Sequence, residues 1–286
     1  MRSFLFLLFF SVCIAGRSQV KKIDSLYHKL ALITDVKEKI NTANLIASEI
    51  RNTNADSAIA LAKRTLSTAE KENYRFGAGT AYLCLALAYG TKGSFEIMND
   101  YTQKALAVAE KINNDSLKAC SILAIGSYNY SKGNYDVAIE RCLAALKIFE
   151  KKPDATGILK TKALMSQVYQ IKNDLPKAES ILHETLVLFP KINDFKVKIN
   201  TLHTLANVYG MEGKYAEALR LDSIGLVICE KEEARFLSSA FYDNMANCYM
   251  YSDRYAEAKK YFLLCLQIDS SFDNKKQMSD TYLNLG

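Results

Sequence analysis

Apolar side chains recur along most of the chain at the three- and four-residue spacing that places them on one side of an α-helix. Residues 194–213 show this pattern, with apolar positions at Val197, Leu202, Leu205, Val208 and Tyr209. The stripe is interrupted at Gly213 and resumes with Tyr215, Ala218, Leu219, Leu226 and Val227. The spacing therefore predicts two helices joined by a short break at Gly213.

The same pair of helices returns every 40 residues. The residue at the break is, in successive copies, Gly93, Gly133, Asn173, Gly213 and Asp253. Two residues after the break stand Phe95, Tyr135, Leu175, Tyr215 and Tyr255. Five residues after it stand Met98, Ala138, Ala178, Ala218 and Ala258. A register kept without an insertion over all these copies indicates a repeat array.

Each repeated position has a structural interpretation. Gly, Asn and Asp tolerate the left-handed backbone that ends many helices, so Gly93, Gly133 and Gly213 are predicted to end a first helix. The aromatic residue that follows, such as Tyr215 or Tyr255, is predicted to fill the corner, and the alanine lets two helices approach closely. Since one helical hairpin cannot bury both of its faces, consecutive hairpins are expected to stack.

This pattern resembles the tetratricopeptide repeat. The resemblance is carried by two aromatic residues and a Leu-Ala-like pair in the first helix and by an alanine in the second. In one copy these residues are Tyr242, Met245, Ala246, Tyr249 and Ala258. The repeat of 40 residues departs from the family's usual length of about 34, and Asn129 replaces the later tyrosine in one copy. The resemblance implies an all-α fold: a right-handed α-solenoid of stacked antiparallel helix pairs, the TPR superhelix.

The N-terminal residues have a different layout. One positive charge at Arg2 precedes an apolar run over residues 4–14, which small and polar residues follow. This layout is typical of a secretory signal peptide, here residues 1–18, and predicts an exported, periplasmic protein. An N-terminal membrane anchor and a lipoprotein signal ending at Cys13 are the alternatives.

Two further regions follow the leader. Residues 19–35 are predicted to form a capping helix whose packed side carries Ile23, Leu26, Tyr27 and Leu30. The array then occupies residues 36–286, with helix pairs at about 36–72, 75–112, 114–151, 155–190, 194–231 and 234–271, and an incomplete repeat at 275–286. Because the sequence stops halfway through a first helix, we expect it to be an N-terminal fragment of a longer protein.

Composition and motifs limit the chemistry of this segment. The net charge of +6 is spread along the chain without a basic block, which argues against a nucleic-acid arm. Apart from Cys13, the six cysteines form no CxxC pair and fall within helical stretches, so they are interpreted as packing residues rather than disulfides. No phosphate-loop, dinucleotide, zinc-protease or serine-hydrolase motif occurs. We therefore expect no catalysis, no metal and no cofactor within the segment.

In the family that the chain resembles, first helices line a concave groove, which implies a set of peptide-binding positions. They are Tyr130, Gln167, Asn200, His203, Asn207, Asp243, Asn247 and Tyr251. Asn207 and Asn247 stand one period apart, and an amide offers both a donor and an acceptor. A row of amides can therefore hold an extended peptide backbone. The alternative is that these amides satisfy neighbouring helix ends or water.

The expected function is that of a protein- or peptide-binding module. A leader followed by forty-residue repeats is similar to the extracytoplasmic sensor regions of bacterial histidine kinases and membrane-bound helix-turn-helix regulators. That resemblance implies signal transduction, with membrane contact only through a helix beyond residue 286. A free-standing periplasmic scaffold for protein assembly and an enzyme with a downstream catalytic domain are the alternatives. The expected partner is a protein or peptide, and a homodimer is left open.

Overall fold

The structure is a computed structural model that describes residues 17–272 and 275–285. Over these residues the chain forms fourteen α-helices and two short 3-10 helices, without a strand. The predicted signal peptide, residues 1–18, lies outside this part of the chain except for its last two residues. The helices fall into two compact units, Lys21–Val168 and Tyr169–Gly286.

The helices of the N-terminal unit are α1 Arg17–Leu32, α2 Val36–Ile50, α3 Ala55–Lys71, α4 Arg75–Thr91, α5 Phe95–Lys111, α6 Asp115–Ser131, α7 Tyr135–Lys151 and α8 Ala155–Ile171. Those of the C-terminal unit are α9 Leu175–Leu186, a 3-10 helix Phe189–Lys191, α10 Phe195–Met211, α11 Tyr215–Lys231, a 3-10 helix Arg235–Leu237, α12 Ser238–Tyr251, α13 Tyr255–Ser271 and α14 Lys275–Leu285.

Consecutive helices pack against each other within each unit, as α4 does with α5 and α12 with α13. Because only short turns join them, the two helices of a pair run antiparallel. The prediction of an all-α fold built from stacked helix pairs is therefore confirmed. Over the described residues, no helix combines the length and the apolar character that a membrane crossing requires.

Each unit has its own apolar core. The N-terminal unit buries a cluster that contains Ile46, Ala47, Ala58, Ala62, Leu85 and Ala88. Ile23, Leu26 and Leu30 of α1 pack against this cluster, whereas Tyr27, which the sequence placed on the same side, is 44% exposed. The core of the C-terminal unit contains Leu182, Leu202, Leu205, Val208, Ala218 and Phe241.

The cysteines belong to these interiors. Cys84, Cys142, Cys229, Cys248 and Cys265 are buried and Cys120 is partly buried, and all six are free thiols. Burial raises the pKa of the Cys84 and Cys142 thiols to about 12, so both are protonated and unreactive at neutral pH. The interpretation of the described cysteines as packing residues is confirmed.

Left-handed residues end the helices at two points of the period. Gly93, Gly133, Asn173, Gly213 and Asp253 follow the first helices and have φ between 57° and 77°. Asn73, Asn113 and Glu233 follow the second helices with the same sign of φ. At Gly213 the turn is closed by a hydrogen bond of 2.8 Å from the Lys214 amide to the Tyr209 carbonyl. Pro153 stands in the second series and cannot adopt a positive φ, so that turn has a different geometry.

Substitutions at these turns should separate backbone strain from packing. A methyl group added at Gly213 would meet no atom within 4 Å, so Gly213→Ala should cost only the left-handed conformation, about 1–2 kcal/mol. Glu233→Gly should instead stabilise the chain, by up to about 1 kcal/mol, because it relieves the same strain. Thermal unfolding of the two variants should shift in opposite directions. A shift of the same sign in both would contradict this explanation of the turns.

One second helix is shorter than the others. The α-helix α9 ends at Leu186, and a 3-10 turn over Phe189–Lys191 follows it. Pro190 explains the interruption, because a proline ring collides with the carbonyl group four residues earlier, which here belongs to Leu186. The chain nevertheless rejoins the core at Ile192, which is 2% exposed.

Candidate functional site

Two neighbouring first helices of the C-terminal unit, α10 and α12, carry most of the predicted binding residues. Residues three or four positions apart lie on the same side of a helix. The resulting surface, which we call the α10–α12 face, consists of Asn200, His203, Asn207, Asp243, Asn247 and Tyr251. α10 and α12 pack against each other, so the two rows are adjacent.

His203 connects the face to the core beneath it. Its imidazole meets the Phe241 ring edge-on, with 5.8 Å between ring centroids. Burial lowers the pKa of His203 to about 4, although a hydrogen bond with the backbone of Ala240 acts in the opposite direction. The imidazole is therefore neutral at physiological pH and contributes a polar but uncharged group.

The two asparagines make equivalent contacts within their own helices. The Asn207 Nδ2 lies 3.5 Å from the His203 Nε2, and the Asn247 Nδ2 donates to the Asp243 Oδ2 at 3.2 Å. Each amide is thus oriented by the side chain four residues earlier. Within the described residues, neither amide oxygen has a hydrogen-bond partner, and both asparagines are partly buried. The face therefore presents two oriented amide groups whose oxygen atoms can still accept a hydrogen bond.

Asp243 gives the face a carboxyl group in a crowded acidic environment. Its pKa is raised chiefly by burial and further by the carboxylates of Asp269 and Asp280, while the hydrogen bond from Asn247 lowers it. The Asp243 Oδ1 is enclosed and has no hydrogen-bond partner among the residues that the structure describes. Asp269 is itself held by Ser239, whose hydroxyl donates to the Asp269 Oδ2 at 2.6 Å.

The two ends of the face are open to solvent. Asn200 is exposed, and Tyr251 is 66% exposed. The remaining predicted binding residues, Tyr130 and Gln167, are partly buried and belong to the N-terminal unit. Burial raises the pKa of Tyr130, whose ring lies 6.1 Å from that of Tyr135. The structure thus brings together six of the predicted residues on the C-terminal unit.

The repeat residues differ from copy to copy in how they pack. Ala138, Ala178 and Ala218 are completely buried, where a larger side chain would separate the helices. Tyr215 packs against the core of its unit. Tyr255, at the equivalent position, is 64% exposed and donates to the Asp253 Oδ1 at 2.8 Å. This tyrosine therefore does not fill a corner, because an acidic residue at the turn attracts its hydroxyl.

Sequence reasoning missed one polar pair behind the face. Asp222 of α11 is fully buried, and its Oδ2 accepts a hydrogen bond of 2.7 Å from the Asn244 Nδ2 on α12. A signal was present in the repeat, because residues one period away from Asp222 on either side are Leu182 and Phe262. Asp222 is therefore unusual, because the residues at the equivalent position of the neighbouring repeats belong to the core.

Comparisons with known proteins agree with this architecture. No family model matches the chain. Over 169 residues the chain is 22% identical to tetratricopeptide repeat protein 29 of Trypanosoma brucei brucei. The matched segment covers 57% of this chain and 35% of that protein. The match thus spans about a third of the length of the curated relative.

Two solved structures share the fold at low sequence identity. One is a signal transduction ATPase with a tetratricopeptide repeat sensor from Pyrococcus horikoshii, with a TM-score of 0.71 and 15% identity, covering 93% of this chain and 42% of that chain. The other is NprR in complex with its cognate peptide NprX, with a TM-score of 0.61 and 15% identity over 96% of this chain and 80% of that chain. The chain is a TPR-like helical repeat protein.

Proposed function

We propose that the chain is a protein- or peptide-binding module and that its α10–α12 face holds an extended stretch of peptide backbone. The observation that carries the proposal is the arrangement of Asn207 and Asn247, one repeat apart, each held by the residue four positions earlier. Prior orientation lowers the entropy that a side chain loses when it binds. NprR, which shares the fold, is bound to a peptide in its own structure.

The charges of the face restrict the peptide. Asp243 lies beside the carboxylates of Asp269 and Asp280, and neither lysine nor arginine occurs among the six residues of the face. An acidic peptide would be repelled there, since like charges in a partly buried site interact strongly. A neutral or basic peptide is therefore the expected partner.

Exchanging both amides tests the proposal. The double variant Asn207→Ala/Asn247→Ala should bind members of an array of short neutral and basic peptides roughly 5- to 150-fold more weakly, because two hydrogen bonds of roughly 0.5–1.5 kcal/mol each are lost. Fluorescence anisotropy with the best array peptide measures the loss, and circular dichroism should show unchanged helicity.

A matched control removes two exposed amides outside the face. Asn193→Ala/Gln267→Ala changes the same side-chain type in the same unit, at exposed positions outside the face, and should bind like the parent chain. Undiminished capture by the Asn207→Ala/Asn247→Ala variant would remove the amide row from the binding site.

We also propose that this module serves as the extracytoplasmic sensor of a bacterial signal-transduction protein, a histidine kinase or a transcription regulator. The layout of residues 1–18 supports export, and the Pyrococcus horikoshii protein, which shares the fold, carries its tetratricopeptide repeats as a sensor. Expression of the full gene with a periplasmic reporter tests the location, and the mature protein should begin at Gln19. The second candidate, a periplasmic assembly scaffold, would show export without a kinase or DNA-binding domain in the same gene.

A further inference from the structure

Asp222 occupies a position of the repeat that is buried in the other copies. Counterparts of Asp222 at multiples of the 40-residue period are Ala62, Thr102, Cys142, Leu182 and Phe262. All of them are buried, and none carries a charge. Asp222 is likewise completely inaccessible to solvent. An ionisable group therefore stands at a repeat position where the other copies form the fold with neutral side chains.

The hydrogen bonding of Asp222 is incomplete. The Asn244 Nδ2 donates to its Oδ2 at 2.7 Å, while its Oδ1 has no partner among the residues that the structure describes. Asp222 is 0% exposed, so bulk water does not replace the missing bond. Asn44 stands at the same position of the repeat as Asn244, five periods earlier, but its amide donates to the Gly77 carbonyl at 2.9 Å. The contact between amide and carboxyl group is therefore a feature of the C-terminal unit and not of the repeat.

No positive charge compensates the carboxyl group. Burial and the Asn244 hydrogen bond are the influences on the Asp222 carboxyl, so within the described residues no lysine, arginine or histidine of the neighbouring elements acts on it. The titratable group that faces it is the Cys248 thiol of α12, whose pKa burial raises to about 12, with the Asp222 carboxylate adding to the effect. An ionised Asp222 would therefore be a buried charge supported by one amide.

We propose that Asp222 and Asn244 form a proton-operated switch between α11 and α12 that controls the α10–α12 face. Its effect on ligand capture rests on the function proposed above, whereas the movement itself does not. When Asp222 is neutral, the pair packs within the interior. When Asp222 loses its proton, the charge requires water, and the contact between α11 and α12 must open to admit it.

The position of Asn244 connects this event to the face. Asn244 directly follows Asp243 in α12 and precedes Asn247 by less than one turn, so a displacement of Asn244 moves both face residues. Burial raises the pKa of Asp222 to about 8, well above the value of about 3.9 for an exposed aspartate. Between these two pH values the folded chain binds more protons than the unfolded chain, so stability falls as pH rises and is lowest above pH 8.

A tryptophan reporter can follow the switch without a ligand. The sequence contains no tryptophan, and Tyr251 lies at the exposed end of the face, so Tyr251→Trp introduces one tryptophan that can be excited at wavelengths that the tyrosines do not absorb. Its emission should change with a midpoint near pH 8 in the otherwise unaltered chain. The thermal midpoint should fall by at least about 5 °C between pH 6 and pH 9.

Three variants carrying the reporter decide the assignment. Asp222→Asn keeps the size of the side chain and should abolish both the emission change and the pH-dependent loss of stability, and Asp222→Leu, which copies Leu182, should do the same. Asp243→Asn removes the acid of the α10–α12 face itself and should leave the transition near pH 8 in place. A transition that persists in both Asp222 variants, or that disappears in Asp243→Asn, overturns the proposal.

The same experiment separates the switch from the proposed function. If the emission changes as expected but the parent chain, with Tyr251 in place, captures no peptide, the switch stands and the binding proposal fails. If the thermal midpoint depends on Asp222 while the emission is constant with pH, the acid titrates without moving α12, and the switch is refuted.

Discussion

Phe241→Ala should lower the free energy of unfolding of the C-terminal unit by about 3–5 kcal/mol, the usual loss for a buried phenylalanine. Phe241 lies on α12, is completely buried and belongs to the main core of that unit. Its ring occupies the space above Gly225 of α11 and meets the edge of His203 of α10. One side chain therefore joins three helices, and its removal leaves a cavity between them. Urea unfolding followed by circular dichroism measures the loss.

His203 provides a second readout of the same substitution. Burial holds the pKa of His203 at about 4. Without the Phe241 ring, water can reach the imidazole, and the pKa should rise toward the value of about 6.5 for an exposed histidine. Proton NMR of the imidazole follows this change. A large loss of stability with an unchanged His203 pKa would show that the ring does not shield the face.

Two glycines give matched controls for the packing argument. A methyl group at Gly225 would overlap the Phe241 ring, whereas at Gly210 the nearest atoms, the Asn244 Oδ1 and the Cys248 Sγ, would lie at 3.6 and 3.7 Å. Gly225→Ala should therefore cost about 1–3 kcal/mol through overpacking, and Gly210→Ala should gain up to about 1 kcal/mol of helix propensity. Equal effects of the two substitutions would contradict the tight fit at Phe241.

The repeat explains why the fold could be predicted so fully from the sequence. A period of 40 residues fixes where helices begin and end, and residues such as Gly93 and Gly213 have the left-handed backbone expected of them. The left-handed ends of the second helices, at Asn73, Asn113 and Glu233, are equally periodic. They escaped prediction although Asn73 and Asn113 are of a type that tolerates this conformation, because Pro153 and Glu233 stand at the same position in other copies and do not favour it.

The candidate site could be predicted only in part, because position and contact are different properties. Periodicity alone places Asn207 and Asn247 one repeat apart on neighbouring first helices. It does not specify that each amide turns toward the residue four positions earlier, since that depends on rotamers and on the chemistry of His203 and Asp243. These bonds explain how the amides are held and do not decide whether a peptide binds.

Polar residues in the interior are the least predictable part of the sequence. A helical stripe is recognised by its apolar positions, so a single aspartate within it, such as Asp222, is read as the edge of the stripe. Comparison across repeats corrects this interpretation, because Leu182 and Phe262 occupy the equivalent position of the neighbouring repeats. The free energy of unfolding of suitable variants can then show how the buried aspartate affects stability.

Asn244→Ala should destabilise the C-terminal unit by an amount that depends on pH. Asn244 supplies the hydrogen bond of 2.7 Å to the Asp222 Oδ2. At pH 6 Asp222 is neutral, since burial raises its pKa to about 8, and the variant should lose about 1–3 kcal/mol for one buried hydrogen bond. At pH 10 the carboxyl group is charged in the parent chain and the opened contact admits water, which can replace the amide donor, so the loss should fall to about 0.5–1 kcal/mol.

A matched variant and a double variant make this prediction specific. Asn44→Ala removes the amide at the equivalent repeat position, which donates to a backbone carbonyl instead of an acid. The loss of stability in this variant should therefore be independent of pH. Asp222→Leu/Asn244→Ala removes both polar groups, and it should match the parent chain at pH 6 and exceed its stability at pH 10, because no buried acid remains to be charged. If Asn244→Ala loses the same free energy at both pH values, Asp222 does not ionise within the fold, and the polar pair serves packing alone.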